Sequence, residues 1–308
     1  MTLHQNVLGV DVAKDWIDIY DLSSGRIARI DTTPRALSAF AAKVPEGTLV
    51  VFEASGGYER PLAEALEQTG AVYVRVNPRH AREFARASGR LAKTDRIDAR
   101  VLAEMGAALK LAPSPKVDPA RRRLADLVAR RADLVAAISA ETNRLGQARE
   151  ALVRRDIKSL LAVLVRRKLA MEKAIEAQMR AVDELNQLDR RLRTVPGIGP
   201  AIAAVLIACL PELGRIDRRP LACLAGLAPH ASESGQRRGK RKVWGGRPAV
   251  RKALYTAALV ASRFNPELRA FRDRLIAAGK PFKVAIIAVG RKILTILNAM
   301  VRDQRDFA

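Results

Sequence analysis

The stretch from Lys93 to Met105, KTDRIDARVLAEM, sets Asp95 and Asp98 three residues apart at the mouth of what reads as a helix. On a helix such a pair shares a face, with Cβ atoms about 5–6 Å apart. Like charges that close repel unless a cation lies between them. Two earlier acids have the right setting to join them: Asp11 lies inside an apolar first strand between Val10 and Val12, and Glu53 ends the strand LVVFE. An acid within an apolar strand is costly unless it is paired or bound to metal. Strand Asp, strand-end Glu and Asp-x-x-Asp make an all-oxygen set suited to Mg²⁺ or Mn²⁺. Two such ions about 3.5–4 Å apart would hold a scissile phosphate and stabilise both attacking and leaving oxygens. The structural alternative is that helix-opening aspartates cap the helix or complement its dipole, or that Asp95 or Asp98 pairs with Arg96 or Arg100. Asp15, Asp18 and Asp21 read as solvated strand-face or turn residues.

A second chemical candidate lies far along the chain. The segment SESGQRRGKRKVWGGRPAVRK holds eight Lys/Arg and one Glu between Ser232 and Lys252, with Ser234 directly before Gly235. A hydroxyl becomes a nucleophile only when its proton is removed and the developing charge is stabilised. A phosphodiester attacked there would find guanidinium forks for its oxygens, although only His230 is near in sequence as a base. A Ser-Gly in a loop is also an ordinary turn. The basic residues Arg237, Arg238, Lys240, Arg241, Lys242, Arg247, Arg251 and Lys252 read as a nucleic-acid contact, with a solvated charged loop as the alternative. Trp244 either stacks on a base or anchors the loop, and the anchor is preferred. In VPGIGPA, Gly197 and Gly199 permit a tight turn before an apolar helix whose N–H groups can face a phosphate without reading sequence. The alternative is a plain helix corner. No strand precedes this Gly-x-Gly, so it is not a dinucleotide fingerprint.

These residues need elements to position them. Up to about residue 112 short β-rich runs alternate with helical stretches, an α/β layer pattern. VLGVDVAKDWIDIYDL reads as one strand, GRIARID as its antiparallel partner, and TLVVFEAS and AVYVRVNP as further strands flanking the helix YERPLAEALEQTG, which Gly70 ends. LAPSPKVDP, with three prolines, reads as a linker. Beyond it, Leu124, Leu127, Leu134, Ile138 and Leu145 fall near heptad spacing. Leu164, Met171, Ile175, Val182, Leu185, Leu188 and Leu192 do so again, predicting two long helices in a hairpin or coiled coil that includes self-association. From about 189 the composition turns to apolar helices interrupted by the basic loop. The expected domains are therefore 1–112, 113–188 and 189–308.

Composition bounds the function. The 308 residues, 49% hydrophobic, suffice for a sizeable core in roughly two or three domains. A net charge of +23 points first to nucleic acid. A membrane role is the weaker reading: no basic amphipathic helix with bulky anchors stands out, and the apolar run AIAAVLIACL is too short to span a bilayer. Neither Cys209 nor Cys223 forms a CxxC pair, so both read as small core residues in a reducing cytoplasm. The start MTLHQNVLGVDVAKD carries no basic region followed by an apolar block, so no signal peptide is expected.

Taken together, GVDVAKD, VVFEASGGYERPL, KTDRIDARVLAEM, VPGIGP and LAGLAPHASESGQRRGK resemble, in order, the DEDD-type insertion-sequence transposases. That family is a bridge-RNA-guided group of serine recombinases, similar to the pilin-gene invertases. The resemblance implies a RuvC-like first domain of the ribonuclease H class, with Mg²⁺ held by residues matching Asp11, Glu53, Asp95 and Asp98. It implies a coiled-coil dimerisation region, then a mainly α-helical C-terminal domain whose nucleophile maps to Ser234, with the neighbouring Ser232 as the alternative. The partners it implies are donor and target DNA, a noncoding guide RNA, and further copies of the chain in a homodimer or homotetramer in the bacterial cytoplasm. Two other readings remain. One is a metal-dependent, Holliday-junction-resolvase-like nuclease in which water attacks. The other is a binding protein without catalysis, against which the cost of Asp11 in its strand argues.

Overall fold

The computed structural model describes residues 6–90, 95–230, 233–234, 237–238 and 242–307; at 95–97, 230, 233, 234, 237 and 238 the description covers the backbone alone. The chain divides into two compact units, Met1–Lys116 and Val117–Ala308.

The first unit is a mixed sheet covered on both faces. Its strands are β1 (Asn6–Val12), β2 (Trp16–Asp21), β3 (Ile27–Asp31), β4 (Thr48–Glu53) and β5 (Val72–Val76), in the order β3-β2-β1-β4-β5. β1, β2 and β3 form an antiparallel meander, while β1, β4 and β5 run parallel. The run read as one strand from Val7 to Leu22 is thus a hairpin. Its turn at Ala13–Asp15 closes with Ala13 N–H donating to Trp16 O at 3.0 Å, and it carries neither Gly nor Pro, the residues that punctuate turns in sequence.

Side chains alternate across the sheet. Leu8, Val10, Val12, Val50 and Phe52 pack with Leu37 of α1 (Pro34–Ala42) and Leu62 and Leu66 of α2 (Arg60–Thr69). On the opposite face Val7, Leu49, Val51, Val74 and Val76 pack with Ala81 of α3 (Pro78–Ala87) and Leu102, Ala103 and Met105 of α4 (Asp95–Ala108). α1 is absent from the sequence reading; its start is marked by Thr33, whose hydroxyl accepts from Ala36 N, and by Pro34. α2 ends as expected at Gly70, at φ 75°.

α4 lies directly on the sheet because two glycines allow it. A Cβ on Gly9 would stand 2.0 Å from Ala99 O and 2.4 Å from Ala103 N, and one on Gly106 would meet Val51 and Val7 at 2.7 and 2.8 Å. Residue 106 therefore sits over the start of β1 and residues 99–103 over its middle. α4 runs antiparallel to β1, and its first turn reaches the end of β1 where Asp11 lies.

In the second unit, α5 (Pro119–Gln147) and α6 (Ala151–Arg180) form an antiparallel hairpin. Gln178 Nε2 donates to Ala120 O at 3.3 Å, Arg131 Nη2 reaches Glu172 at 2.7 Å, and Arg154 Nη1 donates to Leu145 O at 3.0 Å, so residues pair in reversed order. The heptad positions read as one second helix are divided. α6 ends at Arg180, Val182 is extended (φ −126°, ψ 113°), and α7 (Asp183–Arg193) restarts with Asp183 and Glu184 in its first turn, where they complement the dipole. No Gly or Pro marks that break.

Leu124, Val128, Ile175 and Met179 at the base of the hairpin share one core with Leu185 and Leu192 of α7, Leu206 and Ile207 of α8 (Pro200–Cys209) and Leu221 of α9 (Arg218–Leu224). That core continues through Leu254 of α10 (Pro248–Phe264), Leu268 of α11 (Pro266–Ala277) and Ile293 of α12 (Phe282–Asp303). Among the described residues α12 is the one helix long and apolar enough to cross a membrane, with a mean hydropathy of 1.8. Half of that window is buried, including Ile286, Val289, Ile293 and Leu297, which makes it a core helix.

The basic loop holds short ladders. β6 (Pro229–His230) pairs with β9 (Lys242–Val243), and β7 (Glu233–Ser234) pairs with β8 (Arg237–Arg238). The run of Lys and Arg there lacks the apolar alternation by which strands are read. The cysteines are both free, and Cys223 is exposed, which corrects its reading as a core residue. Cys209 is partly buried; burial pushes its thiol pKa up, and Arg247 opposes that rise.

Candidate functional sites

Asp11 and Glu53 lie on one face of the sheet. Val10 pairs with Phe52 in the parallel ladder, so the next step of that register brings Asp11 beside Glu53, and both share the face of Val7, Leu49 and Val51 beneath α4. Glu53 and Asp98 line one cleft of about 340 Å³ with Arg82 and Arg86 of α3, Arg90 and Leu102. Asp11, Glu53 and Asp98 are each half-buried, and each takes part in an interaction. Asp95 opens α4, and its side chain lies outside the described residues. Among the described residues no three acids, histidines or cysteines close a metal cage. The oxygen-only donors Glu53 and Asp98, with Asp11 one strand over, fit a hard divalent cation by chemistry.

The site's surroundings explain its shape. The loop after Glu53 is held by Glu59, 4% exposed, which accepts from Ser55 N at 3.1 Å and Gly57 N at 2.8 Å, with Arg75 Nη1 at 3.5 Å. Gly56 and Gly57 take φ of +72° and +113°, which other residues adopt only with strain. Asp18, opposite Asp11 in the antiparallel ladder, departs from its reading as solvated. It is 2% exposed and takes both donors of the Arg29 fork, at 2.8 and 2.6 Å. Arg29 is supported in turn by Trp16, whose ring centre lies 4.7 Å from its guanidinium carbon. Asp21 is a turn residue as read. Burial resists its ionisation, but hydrogen bonds from Asn6, Ser23 and Ser24 outweigh that and lower its pKa to about 2. Asp15 is exposed.

Sequence reasoning missed the arginines of this cleft. Arg82 and Arg86 stand four residues apart on α3, which sets them on one side of the helix, and Arg90 follows just past its end and lines the same cleft. Arg90 is bound to Glu104 at 2.6 Å. Among the described residues Arg82 and Arg86 have no ion pair or side-chain hydrogen bond, although two carboxylates line the same cleft.

In the second unit Ser234 sits on β7 opposite Arg237, and Glu233 opposite Arg238. Ser232, Lys240 and Arg241 lie outside the described residues. Lys242 and Lys252 are exposed. Arg247 is committed within the protein: its two Nη atoms reach Glu212 at 2.5 and 2.6 Å, and Nη1 also donates to Cys209 O at 2.9 Å. Arg251 Nη1 donates to Gly245 O at 2.5 Å. Trp244 is 47% exposed and makes a contact of its own. Gly197, at φ +92°, lets α10 approach, since a Cβ there would lie 2.6 Å from Ala257 O; Gly199 caps α8 in open space.

Comparison with known proteins gives these units a context. The DEDD-type IS110 model, described as a transposase, matches residues 8–152, and the model of the transposase IS116/IS110/IS902 family matches residues 189–273. Pilin gene-inverting proteins of Moraxella lacunata and Moraxella bovis are each 31% identical over 271 residues, covering 84% of this chain and 81% of theirs. An IS110 insertion-element protein of Streptomyces coelicolor is 32% identical over 133 residues, which is 42% of this chain and 33% of that protein's length. A mixed α/β unit followed by a basic helical unit, with these likenesses, is the make-up of a DNA-processing transposase. The chain belongs to the transposase IS116/IS110/IS902 family.

Proposed function

We propose that the protein cleaves and exchanges DNA strands with two chemical centres, an acidic one in the first unit and a serine in the second. Asp11, Glu53, Asp95 and Asp98 would hold Mg²⁺ or Mn²⁺ on a RuvC-like, ribonuclease H-type unit. The bound ion would stabilise charge on the reacting phosphate. The observation that carries this reading is the cleft that Glu53, at the end of β4, shares with Asp98 of α4, with Asp11 on the neighbouring strand. In open α/β sheets ligands bind outside the carboxyl ends of strands. Arg82 and Arg86 would bind the non-bridging oxygens of a phosphodiester drawn to that cleft.

Ser234 Oγ would attack phosphorus, forming a phosphoserine ester as one P–O bond of the strand breaks and its oxygen takes up a proton. Attack on the ester by the other strand's hydroxyl would free the serine and complete the exchange. The basic residues Arg237, Arg238, Lys240, Arg241, Lys242 and Lys252 would hold DNA there, with the Gly197–Gly199 corner. A noncoding RNA would pair with donor and target DNA, and the chain would act as a homodimer or homotetramer in the cytoplasm, with protomers joined through 113–188.

The test is a pair of variants on branched and insertion-junction DNA with Mg²⁺. Asp98→Asn should reduce strand cleavage at least ~10³-fold, and Ser234→Ala should abolish the covalent protein–DNA adduct. If Ser234→Ala exchanges strands normally, the serine assignment is wrong. Should it only cleave, the water-attacking nuclease replaces this reading. That alternative is favoured by a cleft contained wholly within the first unit.

A further inference from the structure

A second arginine-rich concavity lies in the second unit, apart in sequence from the serine segment. The turn after Leu213 and the start of α9 face the last turns of α12 across a hollow of about 1020 Å³, lined by Arg215, Asp217, Arg218, Arg219, Asn298 and Arg302 among others. This edge is built rather than left over. Asn298, 6% exposed on α12, accepts from Gly214 N at 2.7 Å and donates to Ile216 O at 2.9 Å, so one buried amide clamps the turn on both sides. Gly214, at φ +80°, lets the turn close on the helix: a Cβ there would lie 2.5 Å from Val301 Cγ1. A buried side chain with donor and acceptor both satisfied fixes the segment it binds.

The fixed turn presents three exposed cations. Arg215, Arg218 and Arg219 are exposed, and among the described residues none makes an ion pair or side-chain hydrogen bond. Arg302 is held by Asp303 at 2.8 and 3.1 Å, and Asp217 is the acid on the rim. Arg215 adds to the positive field that lowers the Glu212 pKa, but among the described residues none of the three guanidinium groups on this pinned edge is neutralised by an ion pair. None of the lining residues is aromatic, so the hollow offers no platform for unpaired bases. Guanidinium forks match phosphate oxygens, and contacts of that kind position a duplex without reading it.

We propose that this edge, through Arg215, Arg218 and Arg219, grips the phosphodiester backbone of double-helical DNA as a second site. The inference shares with the proposed function only DNA as partner, and its test reads binding in the absence of Mg²⁺, so a failure of the catalytic assignments leaves it standing. Fluorescence anisotropy would compare the full-length chain with Arg215→Ala/Arg218→Ala/Arg219→Ala, using a random-sequence DNA duplex and an RNA hairpin across a salt series. A matched variant, Arg26→Ala/Arg35→Ala/Lys43→Ala on exposed residues of the first unit, removes equal charge elsewhere. Circular dichroism and thermal melting check that each variant is folded. The Arg215/Arg218/Arg219 variant should lose about 10-fold or more in DNA affinity at low salt and flatten the log–log salt slope by about 2–3. A restored slope in the triple Arg→Lys variant would support point-charge contacts to phosphate. Equal losses in the Arg215/Arg218/Arg219 variant and the matched variant would overturn the site in favour of diffuse charge. A loss confined to the RNA hairpin would overturn the assignment to DNA.

Discussion

Asp21 and Glu212 are both carboxylates held below their ordinary pKa, and both should be visible in stability. For Asp21 burial raises the pKa, hydrogen bonds from Asn6, Ser23 and Ser24 lower it more, and the result is about 2 against 3.8. A folded value below the unfolded one means the stabilisation is complete above the unfolded pKa and is lost as pH falls toward the folded one. Asp21→Asn should therefore cost about 1 kcal/mol near neutral pH after allowance for solvent screening, with little difference from the parent near pH 2. A pH-resolved denaturant titration checks this, and an equal deficit at both pH values would contradict it. Glu212 follows the same sign: burial pushes its carboxyl up, and the Arg247 fork brings it to a net value below the usual range. Arg247 thus separates from the basic residues around it. Arg247→Ala should lower the melting temperature, because it leaves Glu212 half-buried and unpaired at a cost of about 1–3 kcal/mol. Lys252→Ala, at an exposed residue, should leave melting unchanged and weaken DNA binding; melting curves and anisotropy on both variants check the pair. Equal melting temperatures would show that the Arg247 fork contributes nothing.

At the level of elements, the acidic site depends on how closely α4 can lie on β1. Gly9→Ala would drive a Cβ into the Ala99 carbonyl and the Ala103 amide, both backbone atoms that cannot swing aside. The expected cost is at least about 1–3 kcal/mol, with α4 displaced and Asp98 moved from Glu53. Gly146→Ala in α5, where nothing lies within 4 Å, should instead stabilise by about 0.5–1 kcal/mol. Thermal melting of the two variants checks the contrast, and similar small effects would mean that α4 floats. The strands and the helix carrying the acids were legible because apolar runs, Gly70 and the helical period of α4 are local signals. The approach of α4 was not legible, since nothing near Gly9 in sequence says that residues 99–103 cross it. The Ala13–Asp15 turn and the break at Val182 escaped because both are made without Gly or Pro. Arg82 and Arg86 escaped for another reason: spacing every four residues was visible, but their sharing a cleft with Glu53 follows only from α3 and α4 packing on the same sheet face.

For the whole molecule, the hairpin of α5 and α6 carries more apolar surface than its own pairing uses. Ile157, Ile175 and Met179 of α6 are buried in the seam. At 100° per residue, Val153 and Leu160 fall on one flank of that seam and Val165 and Leu169 on the other. All four are exposed, from 40% to 49%. A two-helix hairpin needs one stripe; flanking apolar positions widen it toward what a bundle of more helices buries. With a net charge of +23, two copies repel at long range, so such a contact must rest on apolar burial at short range and should strengthen with salt as repulsion is screened. Val153→Gln/Leu160→Gln/Val165→Gln/Leu169→Gln is therefore expected to yield monomers at concentrations where the parent chain is a dimer or larger, without lowering the melting temperature of either unit. Sedimentation velocity at two salt concentrations reads this directly. A parent chain that stays monomeric at tens of micromolar, or a variant that assembles as the parent does, would remove the hairpin as the pairing element. The proposed exchange between protomers would then need a contact from elsewhere in the chain.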